Sequence, residues 1–230
     1  VSFPVESYDE NRNTISNFFS KNNLFQLSIL FASRSLYNDV KKNKLEKIHM
    51  KKVVLNLAVS LDGFIEGPNG ETDWCIMDDD MNFDGFLSSI DTIFYGRVSY
   101  DMWGNYQPDE NASPAEKSLW KALHAKNKYV FSSQNREDDN ASFINSDIAT
   151  KANEIKKQSG KDIWLYGGAS LIKTFIQFNL IDTYRISVHP IALGSGKPLF
   201  EDLKERLELK LLTTNIFKSG VIQLIYEPIR

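Results

Sequence analysis

The stretch LYGGASLIKTF, residues 165–175, sets two adjacent glycines between an apolar run, Ile163-Trp164-Leu165-Tyr166, and a segment with Leu171, Ile172, Phe175 and Ile176 at helical spacing. A short apolar run reads as a buried strand, and the spacing after the glycines reads as one face of a helix. A strand-to-helix turn can use a glycine simply because glycine reaches positive φ at little steric cost. A second glycine beside it suggests that something approaches the backbone closely. At a helix N-terminus, where N–H groups lack partners, that something is well matched by a phosphate. The stretch by itself leaves both readings open.

Outward from it, strand and helix patterns alternate. VVLNLAV (53–59) reads as a buried strand, followed by the turn-rich SLDGFIEGPNG. Residues 78–90 space Phe83, Phe86, Leu87 and Ile90 as one helical face. TIFY (92–95) is a short strand running into Gly96-Arg97. Residues 112–125 carry a helix start, with Ser113 as cap, Pro114 at the first position and Glu116 three residues after the cap. KYVFSS (128–133) is a strand, 147–158 a helix stopped before Gly160, DIWLY (162–166) a strand, and TYRISVHP (183–190) another. The C-terminal runs RLELKLL and VIQLIYE meet at Lys218-Ser219-Gly220 as an antiparallel hairpin. The sum is an α/β fold, with a mainly parallel sheet and an antiparallel edge.

The first 49 residues differ. They are rich in Asn, Ser and Phe, hold no sustained period, and end in the basic run KKNKLEK (41–47). They read as a weakly ordered N-terminal extension, with the domain proper at residues 50–230. Their one apolar cluster, LFQLSILF (24–31), is too short to span a bilayer, so no membrane contact is expected. A net charge of −3 argues against a nucleic-acid partner. The single cysteine, Cys75, excludes an internal disulfide and favours the cytoplasm. His49, His124 and His189 lie far apart, and no metal site is expected.

In an open α/β sheet, ligands bind beyond the carboxyl ends of the strands. Three such ends carry suitable residues: Gly96-Arg97-Val98-Ser99, then Ser132-Ser133, then Gly167-Gly168-Ala169-Ser170. Each alone is a common turn or cap. Together they describe a phosphate-rich ligand laid across a sheet edge. No G-x-G-x-x-G follows the first strand, so any dinucleotide would bind in another way than on a Rossmann fingerprint.

The runs VVLNLAVSLDGFIEG, DTIFYGRVSYDMW, YVFSSQ, LYGGASLI and VHPIALGSGKPLF, in this order and spacing, resemble the dihydrofolate reductase-like superfamily. Within it they are most similar to the C-terminal (RibD) reductase domain of the bifunctional riboflavin-biosynthesis deaminase–reductase. The element from Leu193 to Phe200 is typical of that branch. The resemblance covers Met50 to about Pro228 and implies the three-layer dihydrofolate reductase-like fold. It also implies NADPH as cofactor, extended along the strand ends. Gly96, Arg97, Val98 and Ser99 map to the phosphates. Ser132 and Ser133 map to the adenosine 2′-phosphate. Gly167 and Gly168, joined by a cis peptide in dihydrofolate reductases, open the helix whose Ala169, Ser170 and Leu171 meet the pyrophosphate. Ala58 and Ile65 map near the nicotinamide. A homodimer is implied as well.

On the substrate side, dihydrofolate reductases present a carboxylate from the helix that corresponds to the one after Trp74. Asp79 and Asp80 are therefore the candidate catalytic groups, although an acidic first turn also suits a helix dipole. Trp74 and Phe83 could stack on a flat heterocycle, and Asp62 is a further polar candidate. The chain's residues carry no zinc-ligand motif of the deaminase kind, so no deaminase activity is expected of them. The loop FIEGPNGETDW lacks the Asp-Asp-Pro and following Arg of riboflavin reductases. The expected function is NADPH-dependent reduction of a flat nitrogen heterocycle, as in 5-amino-6-(5-phosphoribosylamino)uracil reductase. Reduction of dihydrofolate and a non-catalytic nucleotide-binding module are the alternatives.

Overall fold

The computed structural model describes residues 50–230, so the expectation for residues 1–49 lies outside the described residues. Among the described residues, ten strands and four regular helices follow in chain order. Strand β1 (Val53–Val59) and the short β2 (Phe64–Glu66) are followed by a single 3-10 turn, Asp79–Met81. Then come α1 (Phe83–Ser89), β3 (Ile90–Gly96), a helical turn Arg97–Ser99 that continues as the π-helical Tyr100–Gly104, and α2 (Pro114–His124). Next are β4 (Asn127–Phe131), β5 (Ser142–Ile144), α3 (Ile148–Lys156), β6 (Asp162–Gly167) and α4 (Ala169–Gln177). The chain closes with β7 (Thr183–Val188), β8 (Lys197–Pro198), β9 (Leu209–Ile216) and β10 (Ile222–Pro228).

Eight strands form one sheet in the order β5-β4-β3-β6-β1-β7-β10-β9. Every pairing from β5 to β7 is parallel, and β10 is antiparallel to both β7 and β9. The strands alternate apolar residues onto both faces, as a sheet covered on both sides requires. On one face Leu55, Phe94, Ile163 and Leu165 pack with Ile155 of α3 and Ile172 and Phe175 of α4. On the other, Val54, Ile93, Tyr95 and Trp164 pack with Phe86 and Leu87 of α1 and, from α2, the partly buried Ala122 and Leu123. Three layers result. Each fully buried large side chain, Phe175 for example, contributes about 1.5–3 kcal/mol.

The helix expected over 78–90 is shorter. Ile90 opens β3 instead of ending the helix, and Asn82 caps α1 by accepting from the Gly85 amide. Strand β4 stops at Phe131, which leaves Ser132 and Ser133 in the loop beyond it. Ser113 caps α2 through the Glu116 amide, with Pro114 next, as the sequence implied. The small β2–β8 pair, joining Phe64 to Pro198 and Glu66 to Lys197, forms a second, two-stranded sheet.

Candidate functional site

Strands β4, β3 and β6 are neighbours, and their carboxyl ends stand side by side, with Gly96 opposite Phe131 and Tyr95 opposite Gly167. This brings the three glycine- and serine-bearing ends to one edge of a cleft of about 780 Å³. Gly96, Arg97, Val98 and Ser99 line it from β3, and Ser132 and Ser133 from β4. Gly168, Ala169, Ser170 and Leu171 line it from the start of α4. Ala58 near the end of β1, Ile65 in β2 and Phe83 of α1 also line it.

The glycine pair that opened the sequence question has two separate reasons. Gly167 sits at φ +119, a region that side chains rarely adopt. Its peptide to Gly168 is cis. Gly168, at φ −72, has no such need of glycine. There the reason is space: a methyl group on Gly168 would stand 3.1 Å from Ser99 Oγ, and one on Gly96 would stand 3.2 Å from the Gly168 nitrogen. Two backbones and a hydroxyl thus crowd the start of α4. No side chain caps that helix, so its first amides remain available.

Arg97 donates from Nη1 to Asp101 Oδ2 at 3.0 Å, and the other Asp101 oxygen accepts from Arg136. Ser132 Oγ accepts from the Gln134 amide at 3.0 Å, which leaves its own proton free to donate. The donor set along this edge is therefore one guanidinium, several hydroxyls and a helix N-terminus, with no carboxylate interposed except Asp101.

Five expected residues lie away from the cleft wall; the first is Gly167, the buried end of β6, whose neighbour Gly168 lines the cleft instead. Asp79 and Asp80 sit exposed in the 3-10 turn, and only Met81 of that turn reaches the cleft. Asp62 accepts from the Ser60 hydroxyl at 2.6 Å and from the Leu193 and Gly194 amides, so it pins the loop after β1 to the loop after β7. The Ser60 hydrogen bond, helped by those amides and opposed by desolvation, holds its carboxyl down to about 2. Trp74 donates to the Glu71 carbonyl and meets the His189 ring edge-on at 5.5 Å.

Other cleft residues were not singled out from the sequence. Arg185 and Ser187 on β7, with His189 just beyond it, alternate along TYRISVHP and all line the cleft. That period of two was the available signal, since polar residues recurring on one face of a central strand mark a polar wall. His189 is buried; its Nδ1 accepts from the Ile76 amide at 3.2 Å, and desolvation pushes its pKa below the usual range, against the pull of Asp78. Tyr166, the last side chain before the glycines, packs on Trp164 at 4.9 Å, and burial pushes its phenol up to about 12. Cys75 is half-buried, with its thiol raised first by desolvation and then by Asp73. Among the described residues there is no cluster of three His, Cys, Asp or Glu side chains suited to a metal ion. None of the described helices is long and apolar enough to cross a membrane.

The model of the RibD C-terminal domain family matches residues 51–223. The chain is 57% identical over 180 residues to the uncharacterized protein YyaP of Bacillus subtilis (strain 168), covering 78% of this chain and 96% of that one. Among solved structures it is similar to RibD of Acinetobacter baumannii, with a TM-score of 0.59 at 20% identity, over 79% of this chain and 58% of that one. It is also similar to the dihydrofolate reductase of Enterococcus faecalis complexed with NADP(H), with a TM-score of 0.55 at 13% identity, over 79% and 98%. At such identities the two structures speak to the fold, which is dihydrofolate reductase-like.

Proposed function

Because the chain belongs to the RibD C-terminal domain family, we propose that it is an NADPH-dependent reductase of a flat nitrogen heterocycle, with 5-amino-6-(5-phosphoribosylamino)uracil as the nearest known type of substrate. The observation that carries this reading is the convergence of Gly96–Ser99, Ser132-Ser133 and Gly168–Leu171 on one cleft edge beside an uncapped helix start. A donor set of amides, hydroxyls and one guanidinium along that edge fits the phosphates of a dinucleotide.

When bound, the nicotinamide supplies a hydride. In this reading Gly96, Arg97, Val98 and Ser99 hold phosphate oxygens. Ser132 and Ser133, with Arg97, take the 2′-phosphate, and the Ala169 and Ser170 amides, with Leu171 behind them, take the pyrophosphate. Ala58 and Ile65 border the nicotinamide. Phe83 and Trp164, edge to face at 5.8 Å, offer an aromatic wall to a flat ring. A reduction also needs a proton. Tyr166 Oη, held protonated by burial, keeps one on the cleft wall, where Asp79 and Asp80 do not reach.

The reading includes a cytoplasmic location, where NADPH is regenerated, and a homodimer. Its test is a titration of the protein with NADPH and NADH, followed by single-turnover oxidation of NADPH with the aminouracil and with dihydrofolate. Tight, NADPH-selective binding with turnover of an oxo-pyrimidine supports it. Absence of NADPH binding ends it, and binding without turnover of any heterocycle leaves the nucleotide-binding module.

A further inference from the structure

Arg185 occupies an unusual place. It lies in the middle of β7, opposite Asn56 of β1 on one side and Ile225 of β10 on the other. A charged side chain in a central strand normally has a partner, because an unpaired buried charge is costly. Among the described residues, no carboxylate lies within ion-pair distance of Arg185, and its Nε is buried without any hydrogen-bond partner. Its guanidinium carbon stands 5.4 Å from the centre of the Phe86 ring, which offers cation–π attraction but no acceptor. The other arginine and the lysine of the cleft wall are both satisfied: Arg97 by Asp101, and Lys197 by Glu66 at 2.7 Å.

The surroundings of Arg185 describe what is missing. Phe83 and Trp164 line the cleft edge to face at 5.8 Å and form an aromatic wall, with the buried Phe86 behind them at 5.3–6.0 Å. Ser187, two residues along the same strand face, also lines the cleft, and its hydroxyl oxygen accepts from Gln223 at 3.1 Å. The one carboxylate on the cleft wall, Glu66, is already engaged by Lys197. An aromatic slot with an unsatisfied cation and no free acid selects an acceptor.

We propose that Arg185 is the residue that recognises the substrate, taking a carboxylate or ring-carbonyl oxygen on the edge of a flat heterocycle. The cleft therefore selects anionic or oxo-edged rings over amino-edged rings that need a carboxylate partner. Calling that ligand a substrate rests on the reductase reading above; the binding preference does not. The orphaned buried donor also implies that the fold gains little from Arg185, since relieving an unsatisfied polar group offsets the loss of the Phe86 contact.

The test uses the full chain, with and without saturating NADP⁺, and two probes in titration calorimetry: orotate, a flat oxo-ring with a carboxylate, and 2,4-diaminopyrimidine, whose amino edge seeks an acid. Wild-type protein should bind orotate more tightly than the diaminopyrimidine. Arg185→Met should lose about tenfold or more of the orotate affinity, and Arg185→Lys should retain part of it. Neither variant should change NADPH affinity more than about twofold or lower the melting temperature. Undetectable orotate binding, equal orotate affinity in Arg185→Met, or tighter diaminopyrimidine binding by the wild type would each overturn the proposal. A melting temperature that falls steeply in both variants would assign Arg185 to the fold and overturn it too. If wild-type protein fails to bind NADPH yet loses orotate on Arg185→Met, the reductase reading falls and the binding assignment stands.

Discussion

Arg97 shows how weak its present partner is. Its ion pair with Asp101 spans one helical turn, and both side chains are more than a third exposed. Such pairs contribute roughly 0.3–0.5 kcal/mol, whereas a charge-assisted bond to phosphate contributes about 1.5–3 kcal/mol. A phosphate therefore wins Arg97 from Asp101, which keeps Arg136. Arg97→Ala should weaken NADPH binding about tenfold or more, with a smaller loss for NADH. Equal losses for the two nucleotides in calorimetry would remove Arg97 from the 2′-phosphate end. Arg97 was legible in the sequence because its neighbours Gly96 and Ser99 announce a close backbone approach over a few residues. Arg185 was not, because its significance arises only when β1, β7, β10 and α1 enclose it.

At the scale of elements, periodicity located most strands and helices because two-sided burial writes apolar residues at fixed spacing along the chain. It misplaced Ile90, since an apolar residue fits both the helical face and the strand that follows. It missed β5 and the β2–β8 pair, which are too short to carry a period. It set Asp79 and Asp80 in a helix, where the chain makes only a 3-10 turn. The start of α4 yields a clean experiment. Gly168→Ala places a methyl 3.1 Å from Ser99 Oγ, an atom that a rotamer change can move, and the φ of −72 suits alanine. Folding should change little, while NADPH affinity should fall more than tenfold as the displaced hydroxyl and the methyl narrow the approach to the helix amides. A variant that binds normally but melts much lower would assign the glycine to the turn alone.

The Asp62 clamp between the loops after β1 and β7 carries a pH signature. Its carboxyl is lowered from 3.8 to about 2, so its contribution to stability is fully present above about pH 4 and is lost as the pH falls toward 2. Asp62→Asn should unfold at lower urea than wild type at pH 7, and the gap should narrow steadily below about pH 4. Solvent screening keeps the effect small, because the side chain is exposed. A gap independent of pH would mean that the loss reflects geometry and not charge.

For the whole molecule, the decisive feature is where the sheet stops. Among the described residues, strand β9 is the last in the order, paired on one side only, and it exposes apolar residues on both of its faces: Leu211 and Leu212 adjacent to each other, and Ile216 at 76% exposure. Natural edge strands are usually blunted by charge or proline, and an apolar open edge left in water invites pairing with another strand. Ile222 of β10 and Ile229 beyond it add exposed apolar area next to this edge. The antiparallel hairpin is also remote in the sheet order from β4, β3 and β6, so a partner docked there would leave the cleft edge at those strands open. A second copy of the chain meets the requirement through a two-fold axis, since one apolar patch can cover its own twin. Sedimentation at micromolar concentration should give the mass of a dimer. Leu212→Lys combined with Ile216→Lys should give a monomer whose NADPH affinity is unchanged, because neither residue lines the cleft. A wild-type monomer under these conditions would refute the dimer, and a double variant that stays dimeric would move the interface away from β9.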